Sequence, residues 1–134
     1  LAEARKLGLY IGETELRAPF LIHGPVAAQW LVREGGISDE EVIMSVRWHT
    51  TGRREMSGIE KIVFLADKLD PRKVEAYPEL TEVQETAFCS VDGAILKYLD
   101  WTLHRLISNG LFVHPASIWL RNDLIDHPNS NMDG

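Results

Sequence analysis

The chain has 134 residues, 45 % of them hydrophobic, and a formal net charge of −6. That length favours one domain, and that composition supports a packed core rather than a disordered chain. The acidic balance excludes a general nucleic-acid binder, which needs clustered Lys and Arg to neutralise phosphates, and no apolar run approaches the roughly 20 residues of a membrane span.

In chain order the pattern is helix after helix. Leu1 to Leu9 reads as the end of an amphipathic helix closed near Gly8, and Gly12 to Phe20 as a loop carrying Pro19. The first residues lack the apolar centre of a signal peptide, and a start at Leu1 suggests a fragment or a processed product. Gly24 to Glu34 reads as a helix with Pro25 in its first turn, where a missing N–H costs nothing, and Gly35-Gly36 ends it. Its expected core face is Val26, Ala27, Trp30 and Leu31. Ser38 to Trp48 follows, with Ser38 and Glu41 as a capping box and Val42, Ile43 and Val46 facing inward. Ser57 with Glu60 makes a second capping box, and Ile59, Ile62, Val63, Ala66 and Leu69 repeat at helical spacing. Asp70-Pro71 stops that helix. A long helix is expected from Glu82 to Ser108, holding Cys89 as a buried reduced thiol, and Pro115 starts a last helix. Trp30, Trp48, Trp101 and Trp119 fall at core spacings. Cys89 is the only cysteine, so no intrachain disulfide is possible and a cytoplasmic location is expected. The fold class is all-α: one domain over 1–128, followed by a polar tail over 129–134.

Three residues stand out. His23 precedes a proline-started helix, His49 ends the next helix, and Asp67 lies near the C-terminus of the one after. Each has an ordinary reading alone, as a capping, dipole-stabilising or ion-paired group. Asp67 is the odd one, because the helix dipole disfavours an acid there and a half-buried carboxylate needs a cation such as Lys68 or Arg72. Together, two imidazoles and a carboxylate from three successive helices suit iron, manganese or zinc in a helical bundle. Arg53, Arg54, Arg72 and Lys73 follow His49 and Asp67 closely and could hold phosphates at the same mouth. His114, before Pro115, is a further ligand-contact candidate. His104 reads as structural and His127 as solvated. There is no Walker A, GxGxxG, CxxC or GxSxG pattern.

These segments carry a resemblance. His23-Gly24-Pro25-Val26-Ala27, Trp48-His49-Thr50-Thr51-Gly52-Arg53, Met56 to Ile62, Leu65 to Arg72 and His114 to Asn122 are similar to the HD-domain metal-dependent phosphohydrolases. The closest branch is the bacterial symmetrical diadenosine tetraphosphate hydrolases. The resemblance implies a helical bundle with a dinuclear site, iron being the expected metal and manganese and zinc the alternatives. It assigns His23, His49 and Asp67 as metal ligands. Arg53, Arg72 and His114 are then the candidate phosphate and nucleotide contacts. The family's earlier histidine and adjacent His-Asp pair have no counterpart, so the chain is expected to be the C-terminal portion of an HD domain, truncated at its N-terminus. The implied reaction is hydrolysis of diadenosine tetraphosphate at its centre to two ADP. Two other readings stand beside it: a non-catalytic HD-like domain that binds a nucleotide or a partner, and a helical interaction domain in which these residues only pack or pair. A bundle lacking its first helices would expose apolar faces around Trp30 and Ile62, so a homo-oligomer is expected.

Overall fold

The structure is a computed structural model describing residues 2–10, 12–17 and 19–127. The expected tail over 129–134 lies outside the described residues. Among them the chain is helical throughout, with no strand: α1 (Ala2–Lys6), α2 (Glu13–Arg17), a 3₁₀ turn (Pro19–Ile22), α3 (His23–Arg33), α4 (Glu40–Arg47), α5 (Gly58–Lys68), α6 (Pro71–Ala76), α7 (Leu80–Ala87), α8 (Val91–Ser108) and α9 (Pro115–Asp126).

Local chemistry sets most of these boundaries. The Ser57–Glu60 capping box is present in full: Glu60 N–H donates to Ser57 Oγ at 3.2 Å, and Ser57 N–H to Glu60 Oε2 at 3.1 Å. Two helix starts differ from expectation. Asp39, not Ser38, caps α4, accepting from the Glu41 and Val42 N–H groups. Asp70-Pro71 ends α5 and also opens α6, where Asp70 accepts from Arg72 N–H at 2.9 Å and Pro71 sits at the first helical position. The stretch expected as a loop before Phe20 holds α2 and the start of the 3₁₀ turn.

The single helix expected over 82–108 is two. Ser90 adopts an extended backbone and its Oγ accepts from Gly93 N–H at 2.8 Å, which starts α8 afresh. A serine side chain that competes for backbone donors breaks a helix as readily as it caps one. Cys89 therefore lies in the connecting turn and is exposed, not buried within a helix.

The core is centred on α8. Ala94, Ile95, Leu99 and Leu103 meet Phe64 and Leu65 of α5, Leu80 and Val83 of α7, and Leu120 and Leu124 of α9. Residues deep in this cluster, such as Ile95 and Leu120, have no exposed surface. Burial thins toward the other half of the molecule. Helix α3 packs on α4 and α4 on α5, yet α3 buries only Gly24 and Ala28, and α4 only Ser45. Gly24 is what lets α3 cross so closely, since a Cβ there would run into the Arg47 carbonyl oxygen.

The apolar faces of this half are turned differently from the sequence reading. Phe64, Leu65 and Lys68 are the buried side of α5, while Ile59, Ile62 and Ala66 lie exposed along another. Helix α5 has apolar residues on two faces, and α8 takes one of them. Ile62 is 58 % exposed and Trp30 47 %, so Trp30 and Ile62 do present open apolar surface. Trp119 is exposed too, and Trp48 and Trp101 are only half-buried. No helix of the described residues is long and apolar enough to cross a membrane.

Candidate functional site

Two of the three expected metal ligands share one network. His49 lies in the turn after α4, and Asp67 on the last turn of α5. Lys68 joins them: its Nζ donates to the carbonyl oxygens of His49 (3.2 Å) and Thr50 (2.8 Å) and to Asp67 Oδ2 (3.1 Å). Lys73 adds bonds to Asp67 O at 2.9 Å and an ion pair to Oδ1 at 3.4 Å. The acid that the helix dipole disfavours is thus met by two ammonium groups. Burial pushes the Asp67 carboxyl up, but Lys68, Lys73 and His49 together hold it below the ordinary carboxylate range. Lys68 shows the other side of this exchange: burial lowers its ammonium pKa despite the attraction of Asp67.

His49 Nδ1 lies 2.5 Å from Val46 O, an acceptor, so the proton belongs on Nδ1. Nε2 is left with its lone pair, met by the Thr50 hydroxyl at 3.2 Å. That tautomer leaves Nε2 as the nitrogen able to bind a metal. His23 stands elsewhere. It is exposed at the start of α3 and lines a shallow groove with Glu3, Val26 and Trp30. Among the described residues, no three His, Cys, Asp or Glu side chains come together as a metal site. One imidazole nitrogen and a carboxylate already paired with two lysines do not make a divalent-metal centre by themselves.

The arginines divide differently from expectation. Arg53 is committed to Glu60, with Nε to Oε1 at 2.7 Å and the second nitrogen to Oε2 at 2.9 Å. Glu60 is only 3 % exposed. Burial pushes its carboxyl up, but the Arg53 bonds, the Ser57 N–H and the Arg53 charge hold it below the ordinary range. The pair ties the α4–α5 turn to the start of α5, so the guanidinium expected at a phosphate is spent on the protein's own acid. Arg72 is 91 % exposed and reaches Asp70 at 3.4 Å, which is the solvated-loop arrangement.

A concavity lies beside the same turn. A cavity of about 510 Å³ opens between the segment before α3, the turn holding Trp48 and Thr51 to Arg54, and the start of α9 with His114 and Trp119. Gly52 takes φ +73° in its wall, and a Cβ there would stand 2.5 Å from Leu120 Cδ2. His114 caps α9, its Nδ1 accepting from Ala116 N–H at 3.0 Å. Burial lowers its pKa, with Glu15 opposing. The Trp48 indole N–H is shut off from solvent with no hydrogen-bond partner among the described residues. Sequence reasoning placed His114 near a ligand but took Trp48 and Trp119 for core, because their spacing alone cannot tell a cavity wall from an interior.

The fold agrees with that of a known protein. The fold matches a solved structure described as a predicted HD superfamily hydrolase involved in NAD metabolism from Clostridium acetobutylicum, with TM-score 0.86 and 31 % identity over 93 % of this chain and 65 % of that one. In fold and in sequence this chain is thus similar to an HD superfamily hydrolase. Its sequence is similar to three proteins named symmetrical bis(5'-nucleosyl)-tetraphosphatase. The relative from Halalkalibacterium halodurans is 36 % identical over 105 residues, covering 78 % of this chain and 55 % of the relative. That from Staphylococcus aureus is 35 % identical over 100 residues, 73 % of this chain and 50 % of the relative. That from Bacillus subtilis is 32 % identical over 107 residues, 80 % of this chain and 56 % of the relative. The chain spans about half the length of these relatives. No family model matches it.

Proposed function

We propose that this chain serves a metal-dependent phosphohydrolase that cleaves a dinucleoside tetraphosphate at its centre, with diadenosine tetraphosphate as substrate and two ADP as products. The observation that carries this reading is the likeness to three symmetrical tetraphosphatases across 73 to 80 % of the chain. The preset Nε2 lone pair of His49 and the ionised Asp67 beside it support it. When bound, a divalent metal would polarise a phosphoryl oxygen and lower the pKa of a water. Iron is the expected ion, manganese and zinc the alternatives. Because the described residues do not assemble a metal site, activity on this reading needs donors beyond His49 and Asp67. His23 is the third candidate ligand. Arg53 and Arg72 remain weaker phosphate candidates than their positions in the sequence imply, and His114 is the nucleotide contact. A cytoplasmic location and a homo-oligomer complete the proposal.

The test is anaerobic loading with Fe(II), incubation with diadenosine tetraphosphate, and chromatographic separation of products. ADP alone, abolished by His49→Ala and Asp67→Asn, supports the reading; ATP plus AMP would refute central cleavage. A folded chain that retains no metal and gives no product favours the second reading, a nucleotide-binding HD domain without catalysis. The lysine pairing of Asp67 is the observation on that side.

A further inference from the structure

We propose that Lys68 is a positioning residue for His49: by holding the carbonyls of the turn after α4, it fixes the imidazole in the form that carries its proton on Nδ1 and leaves Nε2 bare. The inference deepens the proposed function and rests on that reading for what Nε2 then binds. The placing of the ring is a property of the chain alone.

The sequence assigns Lys68 to Asp67 as an ordinary ion pair, and the geometry gives it more. The side chain is buried, with its ammonium 4.7 Å from the centroid of the Phe64 ring. An ammonium out of water is costly unless its N–H groups find acceptors. Its three donors meet three oxygens: Thr50 O at 2.8 Å, Asp67 Oδ2 at 3.1 Å and His49 O at 3.2 Å. Two of the three belong to the turn, and the shortest bond goes to a turn carbonyl rather than to the carboxylate. Asp67 has a second cation in the exposed Lys73 of α6, 3.4 Å from Oδ1. Charge pairing at Asp67 therefore does not by itself account for a buried lysine. Tying residues 49 and 50 to α5 does.

Those two residues hold both ends of the imidazole. His49 Nδ1 lies 2.5 Å from Val46 O, and the His49 backbone N–H points at the same oxygen from 3.5 Å. Nε2 meets the Thr50 hydroxyl at 3.2 Å. The backbone N–H fixes His49 on its N-terminal side, and Lys68 fixes the carbonyl on its C-terminal side. With the residue pinned at both peptides, the ring is left in reach of Val46 O. A neutral imidazole that loses such an acceptor populates both tautomers.

The experiment is long-range proton–nitrogen correlation NMR of the 134-residue chain, without added metal and at a pH well above the ordinary imidazole range. His49→Ala assigns the ring's signals, and circular dichroism checks the fold. The wild-type ring should show a single form protonated on Nδ1. Lys68→Met, and Lys68→Gln with an amide too short to reach both carbonyls, should each lose that form and give both tautomers. Lys73→Ala takes a cation from Asp67 but leaves the turn held, and should keep the single form. His114 is the internal control: its Nδ1 accepts from Ala116 N–H at 3.0 Å, so its proton sits on Nε2 and should stay there in every variant. A wild-type His49 already present as both tautomers would overturn the proposal. So would a single form that survives in either folded Lys68 variant, a Lys73→Ala chain that behaves like them, or a His114 ring that changes together with His49. Failure to hydrolyse the tetraphosphate with the His49 results as expected would refute the enzyme reading alone.

Discussion

Glu60 is the residue on which most local structure converges. It closes the capping box of α5, neutralises Arg53 and is buried. Glu60→Ala leaves the Arg53 guanidinium and the Ser57 N–H without their acceptor, and should cost about 2 kcal/mol or more in urea unfolding. Glu60→Gln should recover part of this by restoring hydrogen bonds without the charge. Acid should act through the same group and through Asp67. Both carboxyls are held below their ordinary range in the folded chain. Their contribution is therefore complete above their unfolded pKa of about 4, and is lost as pH falls through the lower folded values. A urea midpoint that does not drop between pH 6 and pH 3 would contradict this. The charge pattern at Asp67 was legible in advance: an acid at a helix C-terminus needs a cation, and Lys68 stood next to it. The fate of Arg53 was not. Its partner lies seven residues on, and the Ser-x-x-Glu signal had already assigned Glu60 to the cap without showing that the carboxylate could serve both.

Among the elements, the sequence yielded helices wherever an apolar period coincided with a cap, and misplaced boundaries where the cap lacked its usual partner. Ser57–Glu60 marked α5 to the residue, and Pro25 and Pro115 marked the first turns of α3 and α9. Ser90 was passed over because Gly93, not Glu or Gln, stands three residues on, and the apolar period runs on across the break. Ser90→Ala should remove the cap of α8 and lower stability by about 1 kcal/mol, without fusing α7 to α8, since the turn at Phe88 and Cys89 is also held by backbone bonds to Thr86 and Glu85. Thermal unfolding followed by circular dichroism measures the first part, and an unchanged helical signal before the transition checks the second. The cavity was invisible at this level for a different reason. Its wall comes from segments near residues 10–25, 47–54 and 114–119, and no local period reports which distant segments meet.

For the molecule as a whole, the open face of α5 is the clearest departure from an ordinary packed surface. Ile59, Ile62 and Ala66 lie exposed in line on one helix, and exposed apolar surface of this kind favours association. The chain should therefore self-associate, and Ile62→Lys should shift it toward monomer in light scattering across a concentration series with little loss of folding stability. A wild-type chain that stays monomeric throughout would remove the expected homo-oligomer. The uneven distribution of buried side chains has another consequence. Amide hydrogens of α8 and its neighbours should exchange with solvent only on global opening, whereas those of α3 and α4, anchored by Gly24, Ala28 and Ser45, should exchange through smaller openings of lower free energy. The turn carrying His49 lies at the seam between these regions. Lys68 binds its carbonyls from the slow-exchanging side, so the imidazole is moored to the half of the molecule that stays shut while the helix leading into it breathes.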